Sequence, residues 1–263
     1  NPLYISPRIP EWQKTREIVK RATLFAQPYV SCFAPGWAIT ISLEPTFEVR
    51  ERCGLSTSTR NMIKKIWPMR LPDMDPEILA KLVCCFENDP ERSDGIISGA
   101  QDSIGICMPG LVRHYYDKLY WPVKIESCYD ENVLSWLENH LIMIPMEPRR
   151  PGCSVVEGKD ITEPKVKALA KAADDCWNAI MAMDLEGFAS AYKASFNAQT
   201  AMFPAMIQGS VQDYIDKYSA MNEVLAWKMP GAGGGGYLAC VVKDAHNFCN
   251  NHPEAIALTI RRK

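Results

Sequence analysis

The chain of 263 residues is 47% hydrophobic and 23% charged, which supplies apolar material for one large core or two modest ones and fits two domains better. Its formal net charge of −2 gives no chain-wide positive field to attract nucleic acid or an acidic membrane, so the composition points to a small-molecule substrate. Ten cysteines occur without a CxxC pair, and Cys84, Cys85, Cys107, Cys176 and Cys240 lie in apolar periodic segments, as small buried hydrophobes of a reduced cytoplasmic chain would.

No apolar run approaches the roughly 20 residues of a membrane span, and no basic start plus apolar signal segment is visible. Trp12, Ile18, Val19, Ala22, Phe25 and Ala26 predict a helix over Glu11 to Gln27, stopped by Pro28. Alternation over Trp37 to Leu43 predicts a strand, and a second extended piece lies around Phe47 to Arg50. Cys53-Gly54-Leu55-Ser56-Thr57-Ser58-Thr59 then leads into a helical pattern over Asn61 to Trp67. Asp75 to Asn88 reads as a helix with Pro76 in its first turn and Ile78, Leu79, Leu82, Val83 and Phe86 on one stripe. After a polar loop holding Pro90 and Gly95, the small residues of Ser98 to Cys107 predict a short helix, followed by strands near Val112 to Tyr116 and Val123 to Ser127. The domain boundary is placed near Asp130 to His140.

Leu141 to Met146 predicts a strand, and Glu147 to Gly158, with its prolines and glycines, a surface loop. Helices follow over Pro164 to Met183, Leu185 to Gln199 and Val211 to Met221, then strands over Val224 to Lys228, Tyr237 to Lys243 and Ala255 to Arg261. Between the first two of these strands runs Met229-Pro230-Gly231-Ala232-Gly233-Gly234-Gly235-Gly236. An ordered glycine run makes sense where φ is positive or where main chain closely approaches a ligand, and a phosphate-lined cleft is the obvious candidate. A mobile connection is the alternative, but Ser, Lys and Glu, common in solvated linkers, are missing here. No Gly-Lys-Ser/Thr follows, which excludes a Walker A loop, and a strand rather than a helix follows, which excludes the dinucleotide fingerprint.

Three further segments carry candidate chemistry. The hydroxyls of Ser56, Thr57, Ser58 and Thr59 stand at a helix N-terminus, where free N–H groups favour phosphate oxygens; taken alone, they read first as ordinary caps. Asp102, between Gly99 and Gly105, is a carboxylate among residues too small to shield it, able to orient or deprotonate a hydroxyl; on its own it also reads as a cap or surface charge. Glu87 ends an apolar helix, where the dipole disfavours negative charge and a divalent cation would relieve the conflict. Arg149-Arg150 could grip phosphate or stand as solvated charges, and His114, His140, His246 and His252 have no metal-ligand spacing. Trp12, Trp67, Trp136 and Trp177 read as core or helix-face residues.

Taken in order, the Gly-Leu-x-Thr-Ser loop and helix, the Gln-Asp pair and the Pro-Gly-Ala-Gly-Gly-Gly-Gly-Tyr-Leu segment resemble the GHMP kinase superfamily. The closest look is to its bacterial sugar branch, the fucokinase and heptose 7-phosphate kinase group, from about Ala34 onward. The resemblance implies an α+β fold of two domains: residues 1–135 as a truncated N-terminal domain like domain 2 of ribosomal protein S5, and 136–263 as a ferredoxin-like C-terminal domain. It implies transfer of the ATP γ-phosphoryl group to a hydroxyl of a monosaccharide or sugar phosphate, with ATP and Mg²⁺ as cofactors. Gly54, Leu55, Ser56, Thr57 and Ser58 would wrap the phosphates, Gly231, Ala232, Gly233, Gly234 and Gly235 would close over them, Ser58 and Glu87 would meet the metal, and Asp102 would be catalytic. Counting back from Gln-Asp would put Glu91 in place of Glu87.

Three departures from the family pattern bear on activity. Ser56 stands where a second glycine is usual, Ser103-Ile104 follows Gln-Asp where the sugar branch has Gln-Tyr, and the first motif, Arg-x-Asp followed by glycines, is missing upstream of Gly54. The chain opens at Asn1 rather than Met, so either the start has been cut away or substrate binding is impaired. A nucleotide- or sugar-binding relative without turnover is therefore the alternative, and a decarboxylase of a phosphorylated mevalonate a third option.

Overall fold

The computed structural model describes residues 36–41, 73–88, 99–117, 119, 121–148, 157–230 and 233–262. The expected helices over 11–27 and 61–67, the loop 53–59, Glu91, Arg149-Arg150 and Gly231-Ala232 lie outside them.

Strand β1 (Gly36–Ile41) pairs with β2 (Leu111–Tyr116), and β2 with β3 (Lys124–Cys128), all antiparallel. Because strand side chains alternate, the two faces of β2 have different duties. Val112 faces helix α1 (Pro76–Glu87) and helix α2 (Gln101–Cys107), packing with Leu79, Ala80, Val83, Ala100, Ile104 and Cys107. Leu111 looks the other way, into the core of the C-terminal half.

Helix α1 begins where expected, with Pro76 in its first turn, and its N-terminus is capped by the Asp75 carboxylate, which accepts from the Glu77 and Ile78 amides. Its apolar stripe is narrower than the sequence suggests, since Leu79, Leu82, Val83 and Phe86 are buried but Ile78 is 57% exposed.

The segment expected to hold a domain boundary is helix α3 (Glu131–His140), capped by Asp130. Its Val133, Leu134 and Leu137 share one core with Leu111, Leu141, Trp177 and Phe188. Strand β4 (Leu141–Pro145) follows, then helix α4 (Glu163–Met181), helix α5 (Leu185–Met202), a single 3₁₀ turn (Pro204–Met206) and helix α6 (Val211–Ser219). Strands β5 (Val224–Lys228) and β6 (Tyr237–Val242), helix α7 (Ala245–Asn251) and strand β7 (Ile256–Ala257) complete the chain.

These strands form a four-stranded antiparallel sheet in the order β5-β6-β4-β7. Strand β6 is buried along its whole length, consistent with its central place and its run Tyr-Leu-Ala-Cys-Val-Val. One side of the sheet joins the core holding Cys176, Ile180 and Phe188; the other packs Ile142, Leu238 and Cys240 with Ile215, Tyr218 and Phe248. Strand β7 is shorter than the Ala255 to Arg261 alternation predicts. Leu258 and Ile260 are buried, but the chain leaves β4, and the Arg261 carbonyl instead accepts from Gly110 N–H beside β2.

Helix α4 packs against both α5 and β1, so it ties the two sheets together. At that contact the Arg113 guanidinium of β2 lies over the Trp177 ring, 4.8 Å from its centroid, bonded to Glu126 and to Asp174 Oδ1 at 3.1 Å. Trp177 and Trp136 are thus core and near-core residues, as expected.

Candidate functional site

The glycine turn is ordered by packing against the chain itself. Gly233, Gly234, Gly235 and Gly236 have φ of 83°, 76°, 141° and 98°, the region that residues with a side chain rarely enter. A Cβ on Gly233 would stand 2.7 Å from Met206 Cβ and 3.0 Å from its Cα, so only glycine lets this main chain rest on the 3₁₀ turn. The Gly234 N–H donates to the Met206 carbonyl at 2.8 Å, the Gly236 N–H to the Glu147 carbonyl at 3.0 Å, and Met146 N–H to the Gly236 carbonyl at 2.8 Å. Close approach was expected of a ligand; among the described residues the partner is Met206, and two of the turn's amides are spent inside the protein.

Asp102 is the second residue of α2. That helix is seated by Ala100, Ile104 and Cys107 in the core under β2, by the Ser103 hydroxyl donating to the Ala100 carbonyl at 2.9 Å, and by the Arg261 guanidinium donating to the Cys107 carbonyl at 2.8 Å. A cation at that end suits the helix dipole. The Asp102 side chain lies outside the described residues, as does that of Glu87, the last residue of α1. Gly54, Leu55, Ser56, Thr57 and Ser58 also lie outside. The structure therefore places the backbone of two expected acidic residues and three of the expected glycines, Gly233, Gly234 and Gly235, without bringing the full set together. Among the described residues no group of three or more His, Cys, Asp or Glu could hold a metal ion.

Lys228, at the end of β5 and the foot of the glycine turn, was not visible as special in the sequence. Its Nζ donates to Ser195 Oγ and to Gln199 Oε1, both at 2.8 Å. Burial of the ammonium holds its pKa down at about 8, against which the neighbouring Cys176 pulls upward. Cys176 and Cys240 are themselves pushed up to about 12 by burial, and burial likewise raises the Tyr192 phenol well above its usual range. The expectation that these cysteines act as small buried hydrophobes holds for Cys85, Cys107, Cys176 and Cys240, while Cys84 is only half-buried. His114, on the α1/α2 face of β2, is fully buried, with Nδ1 3.0 Å from the Tyr116 hydroxyl and, among the described residues, no partner for Nε2; burial lowers its pKa to about 4.

No family model matches the sequence, and no curated protein matches it. Solved structures do. A Campylobacter jejuni protein assigned as a sugar kinase superposes with a TM-score of 0.52 at 18% identity, covering 77% of this chain and 59% of that one. Lactococcus lactis galactokinase, solved with galactose bound, superposes with a TM-score of 0.52 at 16% identity, covering 84% of this chain and 69% of that one. The chain has the GHMP kinase fold. This GHMP kinase fold is a mixture of helix and sheet, as expected, and it spans 59% of the length of the Campylobacter jejuni protein. Among the described residues, no helix is long and apolar enough to cross a membrane.

Proposed function

We propose that the protein is an ATP-dependent kinase that transfers the γ-phosphoryl group to a hydroxyl of a monosaccharide or sugar phosphate. The observation that carries this reading is the turn Gly233–Gly236, held in positive φ between β5 and β6 of a fold shared with a galactokinase. The sheet order β5-β6-β4-β7, with α4 to α6 between β4 and β5 and α7 between β6 and β7, supports reading this half as a ferredoxin-like unit. It supports a division into residues 1–135 and 136–263.

In this reading the amides of Gly54, Leu55, Ser56, Thr57 and Ser58 and the turn from Gly231 to Gly235 receive the triphosphate. The Gly235 N–H, which no described residue accepts, is the turn's donor. Asp102 orients the acceptor hydroxyl and takes its proton as the bond from that oxygen to the γ-phosphorus forms and the bond to the bridging oxygen breaks, releasing ADP. The Ser58 hydroxyl and the Glu87 carboxylate are hard oxygen donors of the kind Mg²⁺ takes, and that ion would neutralise phosphate charge. A cytoplasmic location, where ATP and sugar phosphates meet, belongs to the same reading.

A nucleotide- or sugar-binding relative without turnover is the second reading, favoured by the Gly234 and Gly236 amides being spent on Met206 and Glu147. ATP consumption measured against a panel of monosaccharides and sugar phosphates, with nucleotide binding followed in parallel, separates the two. The kinase reading expects wild-type turnover and an Asp102→Asn variant that binds nucleotide but is slower by about 10²–10⁴-fold. Equal rates in the two proteins would remove Asp102 from its role, and nucleotide binding without turnover on any acceptor would favour the second reading.

A further inference from the structure

Lys228 is half-buried at the end of β5, and its ammonium has no carboxylate partner among the described residues. Its two hydrogen bonds go to neutral oxygens, Ser195 Oγ and Gln199 Oε1, one turn apart on the same side of α5. A charge partly withdrawn from water without a counter-ion carries a desolvation cost, and a hydrophobic residue at the end of a strand would avoid it. The arrangement needs a reason beyond packing.

Its place in the chain supplies one. Lys228 pairs with Ala239 across β5 and β6, so it is the foot from which the chain leaves the sheet, and the next residue, Met229, is already buried. The far foot carries backbone bonds of Gly236 with Glu147 and Met146. The turn itself rests on Met206, through the Gly234 N–H and the close approach of Gly233. Met206 lies just past the end of α5, in the 3₁₀ turn, and Gln199 in the last turn of α5. The end of α5 and the turn after it are therefore one platform: Met206 holds the glycines, and Ser195 and Gln199 hold the near foot through Lys228.

We propose that Lys228 is a positioning residue for the glycine turn, its ammonium clamping the end of β5 to α5 so that the turn and the Met206 platform keep one relative placement. Its consequence for nucleotide binding rests on the kinase reading above; the clamp itself does not. Arginine at this position could still donate to both oxygens, whereas methionine fills the volume and donates nothing.

The test compares wild type, Lys228→Met and Lys228→Arg by amide hydrogen exchange, with steady-state kinetics as a second arm. The expected result for Lys228→Met is exchange at the Gly234 and Gly236 amides faster by roughly tenfold or more, the factor for losing a hydrogen bond to a charged group, with β4 amides changed far less. Lys228→Arg should restore most of the protection. In the kinetic arm the KM for ATP should rise for Lys228→Met by a similar factor of about ten while kcat moves far less. Unchanged exchange at the turn, or an equal acceleration across β4, β5 and β6, overturns the proposal. If wild type consumes no ATP, the kinase reading fails while the exchange arm still decides the clamp. Should Lys228→Met not fold, Gln199→Met, which removes one acceptor and leaves Ser195, is read by the same criteria.

Discussion

Replacing Gly233 by alanine tests whether the glycine turn is built by close approach to Met206. Two penalties add at this position. With φ at 83°, an L-residue pays about 1–2 kcal/mol for the left-handed backbone. The new Cβ would also stand 2.7 Å from Met206 Cβ and 3.0 Å from its Cα, and since a backbone atom cannot rotate away, the turn must shift at about 1–3 kcal/mol. Gly236 provides the internal comparison: its φ is 98° but a Cβ there meets nothing within 4 Å, so Gly236→Ala should cost only the backbone share, about 1–2 kcal/mol. Urea unfolding followed by tryptophan fluorescence reads both variants against wild type. Gly233→Ala should be less stable than Gly236→Ala by about 1–3 kcal/mol, or should instead show local loosening of the Gly234 amide in hydrogen exchange. Two variants equal in stability and in exchange would refute the packing argument.

Other consequences are quantitative. His114 is neutral in the fold because burial holds its pKa at about 4 against an ordinary 6.5, so the unfolded chain takes up a proton first as pH falls. Stability should therefore drop between pH 6.5 and 4 by up to about 3 kcal/mol from this group; in urea titrations across that range the difference between wild type and His114→Phe should change with pH, and a constant difference contradicts it. Phe188 is fully buried and meets the rings of Trp136 and Tyr192, so Phe188→Ala should cost about 3–5 kcal/mol in the same assay. Arg113→Met removes the cation over Trp177 and the bonds to Glu126 and Asp174 that join β2, β3 and α4. A loss of about 1–2 kcal/mol is expected, larger than that of Asp174→Asn alone, because Asp174 is half exposed.

Most elements were legible because their signals are local. Pro76 announces the first turn of α1, alternation announces β1, and the apolar run after Gly236 announces β6. What failed depended on partners distant in sequence. Ile78 sits at helical spacing with Leu79 and Leu82 but is 57% exposed, with no described layer over it. Leu258 and Ile260 alternate like a strand, yet the backbone bond of Arg261 goes to Gly110, far from β4. Helices α3 and α7 begin with clear caps, Asp130 and Asp244, that were readable and passed over. At the site, the positive φ of the glycines followed from composition, while their partner Met206 did not, because the 3₁₀ turn bears no motif. Nothing in the sequence singles out Lys228; only folding puts Ser195 and Gln199 beside it.

Phosphoryl transfer to a sugar is the central claim, and following ATP labelled in its γ-phosphate tests it most directly. Incubation with the sugar panel should leave the label covalently bound to one sugar or sugar phosphate, in step with ADP formed. Label found only in unreacted ATP or in inorganic phosphate, or release of CO₂ from a phosphorylated mevalonate, would contradict it.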